Sequence, residues 1–334
     1  MSDQLYISAT QRGRVGIIGL NRPQAMNALT LEMVRNIDAA LDRLVDDPTI
    51  DQVLLCSDND RSFCTGGDMR TIRKLSLAKQ FDDAEQFFLE EYRLIQRMSE
   101  YPKTIIALVD GVCMGGGMGL VMQSDYRIAT DRALFAMPEN AIGFFPDVGG
   151  SYFLPRMPHY GGFWMGLTGA QVAGFDAQTL GISTHMLPHG EVEEFVRALC
   201  DDGATLDTAL DTFCAAPGYQ SSMLALAART MCFGQPTLCS IKDCLSKKTR
   251  AETQEAQQNL GKVSPRSLQE TMRLLRHGRD SSLADCLKRE FEAVQRAIRH
   301  PDLAEGVRSV LVDKDHAPKW QSSTTTSSQT LAFN

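Results

Sequence analysis

The chain has 334 residues, 43% of them hydrophobic, which is ample material for the core of one large domain or two. A formal charge of −7 argues against a general binder of nucleic-acid backbone and leaves room for a small anionic ligand held at a local site. Nine cysteines without a CxxC pair point to reduced thiols, and six scattered histidines without an HExxH pattern argue against a zinc site.

The opening MSDQLYISAT carries neither a secretory apolar segment nor an Arg-rich transit pattern. "RVGIIGLNRP" reads as a strand running into a turn at Asn21-Arg22-Pro23. Thr30 stands as the N-cap of a helix whose apolar residues Leu31, Val34, Ile37, Leu41, Leu44 and Val45 recur at helical spacing. Gln52–Asp58 and Thr104–Asp110 are strands of the buried type. Strands alternating with helices predict an α/β architecture. A helix around Asp82–Ser99 lies between them, its inner stripe running Ala84, Phe87, Phe88, position 91, Ile95 and Met98. Position 91 is Glu91, which either snorkels out at the edge of that face or aims a carboxylate into a cavity.

Each of the two strands leads into a glycine-rich stretch, "SFCTGGDMR" (Ser62–Arg70) and "DGVCMGGGMGL" (Asp110–Leu120). Neither is a GxGxxG dinucleotide loop with its downstream acid, and neither is a GKS/T phosphate loop. Each is either a tight strand-to-helix turn or one half of an oxyanion hole in which two turns donate an amide apiece to one oxygen. Cys64 and Cys113 lie in these stretches with no histidine near in sequence, as buried cysteines filling apolar space do. Further on, "FAMPENAIGFFPDVGG" sets Glu139 and Asp147, each directly after a proline, among Phe, Ile, Met and Gly. They mark two surface turns or a reaction centre, since unpaired acids are costly to bury.

His159, His185 and His189 are expected in turns or at helix caps. From about residue 195 helical patterns take over, as in "SLADCLKREFEAVQRAI", where Leu283, Cys286, Leu287, Phe291, Val294 and Ile298 keep helical spacing. We therefore divide the chain into a core over 1–195, a helical region over 196–320 and a Ser/Thr-rich tail over 321–334 that is expected to be flexible. No apolar run approaches about 18 residues, so no membrane span is expected.

Taken together, "SFCTGGDMR", "GVCMGGGMGL", "LFAMPENAIGFFPDVGGSYFLPRM", "LNRPQAMNAL", "LTGAQVAGFDAQTLGISTH" and "HPDLAEGVRSVLVDKDHAPKW" resemble the enoyl-CoA hydratase/isomerase (crotonase) family, over residues 5 to 320 or so. The likeness is closest to its 3-hydroxyisobutyryl-CoA hydrolase branch. It implies an α/β spiral of repeated ββα units followed by a helical C-terminal region, an acyl-CoA substrate, and the amides of Gly67 and Gly116 as the oxyanion hole. It also implies Glu139 and Asp147 as catalytic acids and Glu91 as a substrate contact. No metal is expected and no cofactor, coenzyme A being part of the substrate, and neither nucleic acid nor membrane is an expected partner. The resemblance further implies a homotrimer or hexamer, and mitochondria if the source is eukaryotic. Hydratases of this family pair two glutamates; the first falls three residues after the oxyanion-hole glycine, which here is Gly119, so hydration is not expected. An enoyl-CoA isomerase working with one acid, and a non-catalytic acyl-CoA-binding protein, are the alternatives. Arg22, Lys103, Lys242, Lys247, Lys248 and Arg250 are candidate partners for the CoA phosphates, none of them assigned.

Overall fold

Between residues 52 and 136 successive strands go alternately to two different sheets, and this sorting builds the fold. The computed structural model describes residues 6–214 and 219–321. Its strands are β1 (Ile7–Arg12), β2 (Val15–Leu20), β3 (Gln52–Ser57), β4 (Ser62–Cys64), β5 (Thr104–Val109), β6 (Val112–Met114), β7 (Tyr126–Thr130), β8 (Leu134–Ala136), β9 (Val172–Ala173) and β10 (His185–Leu187). The larger sheet has the order β1-β2-β3-β5-β7-β10 and the smaller β4-β6-β8-β9. Only the outer pairs β1–β2 and β8–β9 are antiparallel. A long strand in one sheet, a short strand in the other and a helix thus make one turn of a spiral. This is the ββα repeat that the resemblance implied.

Helices α1 (Leu31–Asp46), α2 (Met69–Leu77), α3 (Phe81–Ser99) and α4 (Gly116–Met122) complete these turns. The Thr30 hydroxyl does cap α1, accepting the Met33 amide at 3.2 Å. The parallel strands are apolar on both faces, and the period of two sorts their side chains. Val53, Leu55, Ile105, Ala107 and Val109 join the main core with α1 and α3. Leu54, Ile106, Leu108 and Ile128 point the other way.

Further along come α5 (Gly150–Phe153), α6 (Gly161–Thr168), α7 (Gly174–Thr179), α8 (Val192–Cys200) and α9 (Leu206–Phe213). Phe195, Leu199 and Leu210 from α8 and α9 cover the second face of the large sheet. Residue 195 therefore falls inside α8. The rest is helical: α10 (Tyr219–Thr230), α11 (Leu238–Ser246), α12 (Ala251–Lys262), α13 (Pro265–Gly278), α14 (Leu283–Ala297) and α15 (Pro301–Val307). Among the described residues no helix is long and apolar enough to cross a membrane. The expectation of a flexible tail concerns residues outside those described, from 322 on.

Two expectations are corrected here. Cys232 and Cys244 form a disulfide, because the turn after α10 brings their Cα atoms to 5.5 Å, so the thiols are not all free. His185 is a strand residue rather than a turn residue, stacked on Tyr126 with ring centroids 5.9 Å apart. His159 and His189 do lie in turns, and His189 Nδ1 sits 3.1 Å from Asp110.

Candidate active site

The two glycine stretches meet. Gly66, at φ +92°, turns the chain after β4, and Gly115, at φ +52°, turns it after β6; an L side chain is disfavoured at both. A Cβ on Gly66 would lie 3.2 Å from the Gly116 nitrogen, so the turns are in van der Waals contact. Leu29 ties down the first turn: its N–H donates to Gly66 O at 2.7 Å, and its carbonyl accepts the Asp68 amide at 2.8 Å. Neither the Gly67 nor the Gly116 N–H is spent on a hydrogen bond among the described residues. Two free amides in adjacent turns are what an oxyanion needs.

Three acids converge on these turns. Glu91, on the inner face of α3, is only 2% exposed, which decides between snorkelling and cavity: it points inward. Its Oε1 would be 2.6 Å from a Cβ on Gly116. Glu139, 6% exposed, opens the single helical turn after Pro138, and its Oε1 would be 3.0 Å from a Cβ on Gly115. Asp147, 5% exposed, accepts a hydrogen bond from the Tyr92 hydroxyl at 2.7 Å. Both oxygens of Glu139 and Oε1 of Glu91 have no hydrogen-bond partner among the described residues. Buried polar atoms without partners are rare, and a catalytic role or a bound molecule that completes the set is among the reasons a fold keeps them.

Electrostatics follow from this crowding. Burial first, then the charge of Asp147, holds Glu139 well above the usual carboxylate range. Burial, Asp147 and Glu139 do the same to Glu91. Burial pushes Asp147 up to about 8, against the opposing hydrogen bond from Tyr92. The surroundings are apolar: Phe88 stacks on Phe144 at 5.4 Å, and Phe144 on Phe145 at 4.5 Å. Surface grooves of about 310 to 420 Å³ lie elsewhere, around Tyr101, His189 and Arg197, and the three acids are themselves buried.

A stability consequence can be measured. Between the ordinary aspartate pKa and about 8, the folded chain holds a proton on Asp147 that the unfolded chain has lost. Stability from this group is therefore present at low pH and falls as pH rises through that window. Asp147→Asn carries no such proton. Urea unfolding at pH 5 and pH 8 should show the variant losing less stability than the parent over that interval. Equal losses would mean that Asp147 is charged and solvated in the fold.

Position 119 is closed to a further acid. Gly119 lies in α4, and a Cβ there would be 2.6 Å from the Cβ of Val148. Val148 itself has φ +52°, a left-handed conformation that costs a β-branched residue about 1–2 kcal/mol. The other candidates have structural partners or solvent. Cys64 is fully buried, donates to Asn27 O, and has its thiol pushed up to about 12 by burial; Cys113 is likewise buried and raised. Arg22 pairs with Asp68 at 2.9 Å, and Lys103 donates to the carbonyls of Leu44 and Asp47. Lys242, Lys247, Lys248 and Arg250 are exposed around α11.

Periodicity does not single out a fourth acid, Glu290 on α14, although the signal is present. It falls on the stripe of Cys286, Leu287 and Val294, as Glu91 falls on that of α3, and it is 0% exposed. Burial pushes it up to about 7.

Comparisons with known proteins bear on this arrangement. A family model described as enoyl-CoA hydratase/isomerase matches residues 15–332. The chain is 37% identical over 321 residues to the mitochondrial 3-hydroxyisobutyryl-CoA hydrolase of Danio rerio, covering 93% of this chain and 84% of that one. Its structure matches a carnitinyl-CoA dehydratase from Mycobacterium thermoresistibile with a TM-score of 0.90 at 33% identity, covering 98% of this chain and 94% of that. An enoyl-CoA hydratase from Rhodobacter sphaeroides matches with a TM-score of 0.87 at 33% identity, covering 95% and 92%.

Proposed function

The chain belongs to the enoyl-CoA hydratase/isomerase family, and we propose that within it the protein hydrolyses a short 3-hydroxyacyl-CoA thioester, 3-hydroxyisobutyryl-CoA, to 3-hydroxyisobutyrate and CoA. The names of similar proteins point two ways, to a hydrolase and to a hydratase or dehydratase. The observation that favours hydrolysis is position 119. A hydratase of this family pairs Glu139 with an acid there, and Val148 fills the volume that such a side chain needs. A protein that only bound acyl-CoA would gain nothing from burying unpartnered acids, which are costly to keep.

In this reading the thioester carbonyl oxygen lies between the Gly67 and Gly116 amides, which take up the negative charge of the tetrahedral intermediate. Glu139 drives the attack, either by taking a proton from water as the water oxygen bonds the carbonyl carbon, or by bonding that carbon itself to give a mixed anhydride. The C–S bond then breaks and the sulfur leaves as CoA, taking the proton that Glu139 holds on the first route; on the second, water then cleaves the anhydride, which frees the hydroxy acid and restores Glu139. Asp147, held by Tyr92, bonds the substrate's 3-hydroxyl, and Glu91 lines the same pocket beside Gly116. The reading needs no cofactor, because coenzyme A enters with the substrate. By likeness to the Danio rerio enzyme, which is named as mitochondrial, the protein works in mitochondria if its source is eukaryotic; by family likeness the reaction belongs to valine breakdown and the chain assembles as a trimer or a pair of trimers.

The test follows free CoA with a thiol reagent, using 3-hydroxyisobutyryl-CoA, 3-hydroxypropionyl-CoA and isobutyryl-CoA, alongside the absorbance of crotonyl-CoA. CoA release from the hydroxyacyl substrates with no loss of crotonyl absorbance is the expected result. Hydration of crotonyl-CoA without CoA release would overturn the reading.

A further inference from the structure

The turn that carries Asp147 needs two successive left-handed residues, Val148 at φ +52° and Gly149 at φ +85°, the first of them β-branched. Such a conformation persists only where the surroundings over-determine it. Val148 is locked on one side by Gly119. On the other side stands Glu290 of α14. Its Oε2 accepts the Gly149 amide at 2.9 Å, and its Oε1 accepts the Ser151 amide at 2.8 Å together with the Ser151 hydroxyl. None of the ion pairs among the described residues involves Glu290. Its buried carboxylate is therefore held by the turn's own donors, and the turn is held by it. Above about pH 7, where the carboxyl is ionised, these bonds are stronger than neutral hydrogen bonds.

The second acid-bearing turn is braced in the same way from the helical region. Next to Glu139, Asn140 donates to Gly166 O at 2.6 Å and accepts the Thr271 hydroxyl of α13 at 2.9 Å. Glu290 is the carboxyl counterpart of that brace, and it acts on the strained turn.

We propose that Glu290 is a positioning residue: from the helical C-terminal region it fixes the Asp147–Val148–Gly149 turn and so sets where the Asp147 carboxyl stands relative to Glu139. This rests on the thioesterase reading for its kinetic readout but not for its structural one. The residue itself touches no substrate.

Glu290→Gln keeps the size but replaces one accepting oxygen by a donating NH₂ that faces a turn donor. A misplacement of about 1 Å costs on the order of 10²-fold in rate. We expect kcat/KM for 3-hydroxyisobutyryl-CoA to fall by up to that extent, with kcat/KM for isobutyryl-CoA changed much less. Amide exchange at Gly149 and Ser151 should speed up by roughly tenfold or more, with β5 unaffected. Ser151→Ala removes one of the three donors and should give a smaller change in the same direction. It decides the matter if Glu290→Gln does not fold. Glu292→Gln, on the exposed side of α14, should change neither quantity. Unchanged exchange at the turn, whatever happens to kcat, would overturn the assignment. So would a loss of thermal stability with the kcat/KM ratio of the two substrates intact. If the parent protein releases no CoA, the thioesterase reading fails on its own, and exchange at the turn still decides the role of Glu290.

Discussion

Glu139→Gln lowers kcat for CoA release from 3-hydroxyisobutyryl-CoA by about 10²–10⁴-fold, the usual worth of a positioned acid or base. The substitution is nearly isosteric, and it replaces a group whose charged form burial already opposes. The fold should therefore survive, and thermal unfolding of the variant should not fall below that of the parent at pH 8. KM should change little, because the side chain acts on the reacting atoms and not on the bulk of the ligand. Quenching parent turnovers with hydroxylamine separates the two routes. A hydroxamate on the Glu139 side chain itself, read by peptide mass, forms only if Glu139 bonds the acyl group; free acyl hydroxamate does not discriminate, because the thioester substrate also gives it. Activity within tenfold of the parent would remove Glu139 from the reaction. The acid in charge would then have to be Glu91 or Asp147.

How much of this was legible in the sequence depends on the range of the interaction. Glu91 could be found because a helix repeats every 3.6 residues, and an acid on an apolar stripe breaks the pattern. Glu290 broke the pattern of α14 in the same way, but its reason for being buried is an amide pair some 140 residues earlier, and no local period reports that. The glycine stretches were legible as close approaches. That they approach each other follows only from β4 and β6 pairing in the small sheet. The strands Gln52–Asp58 and Thr104–Asp110 were plain because parallel strands covered on both faces are continuously apolar. Strands of two or three residues, such as β8 and β9, carry too few side chains to show a period. The Cys232–Cys244 pair was missed because spacing alone does not encode a turn that closes on itself.

Asp147→Asn should do less to the rate than to the choice of substrate. Tyr92 donates to Oδ2 of Asp147, and an amide oxygen can still accept that bond. The second position of the group changes from a carboxyl, with its pKa near 8, to an NH₂ that can only donate. A substrate hydroxyl that donates its proton there loses its acceptor. A site built around a substrate hydroxyl rejects the analogue lacking it by as much as about 10⁴–10⁵, because a buried polar group is otherwise left unpaired. The ratio of kcat/KM for 3-hydroxyisobutyryl-CoA over isobutyryl-CoA should therefore collapse by at least about 10²-fold in the variant, mainly through loss on the hydroxyl substrate. If Asp147 instead holds the attacking water, both substrates lose equally and the ratio stays fixed, which would reassign Asp147 from recognition to activation. The two substrates differ in one oxygen atom, so comparing them reports directly on the group that this oxygen meets.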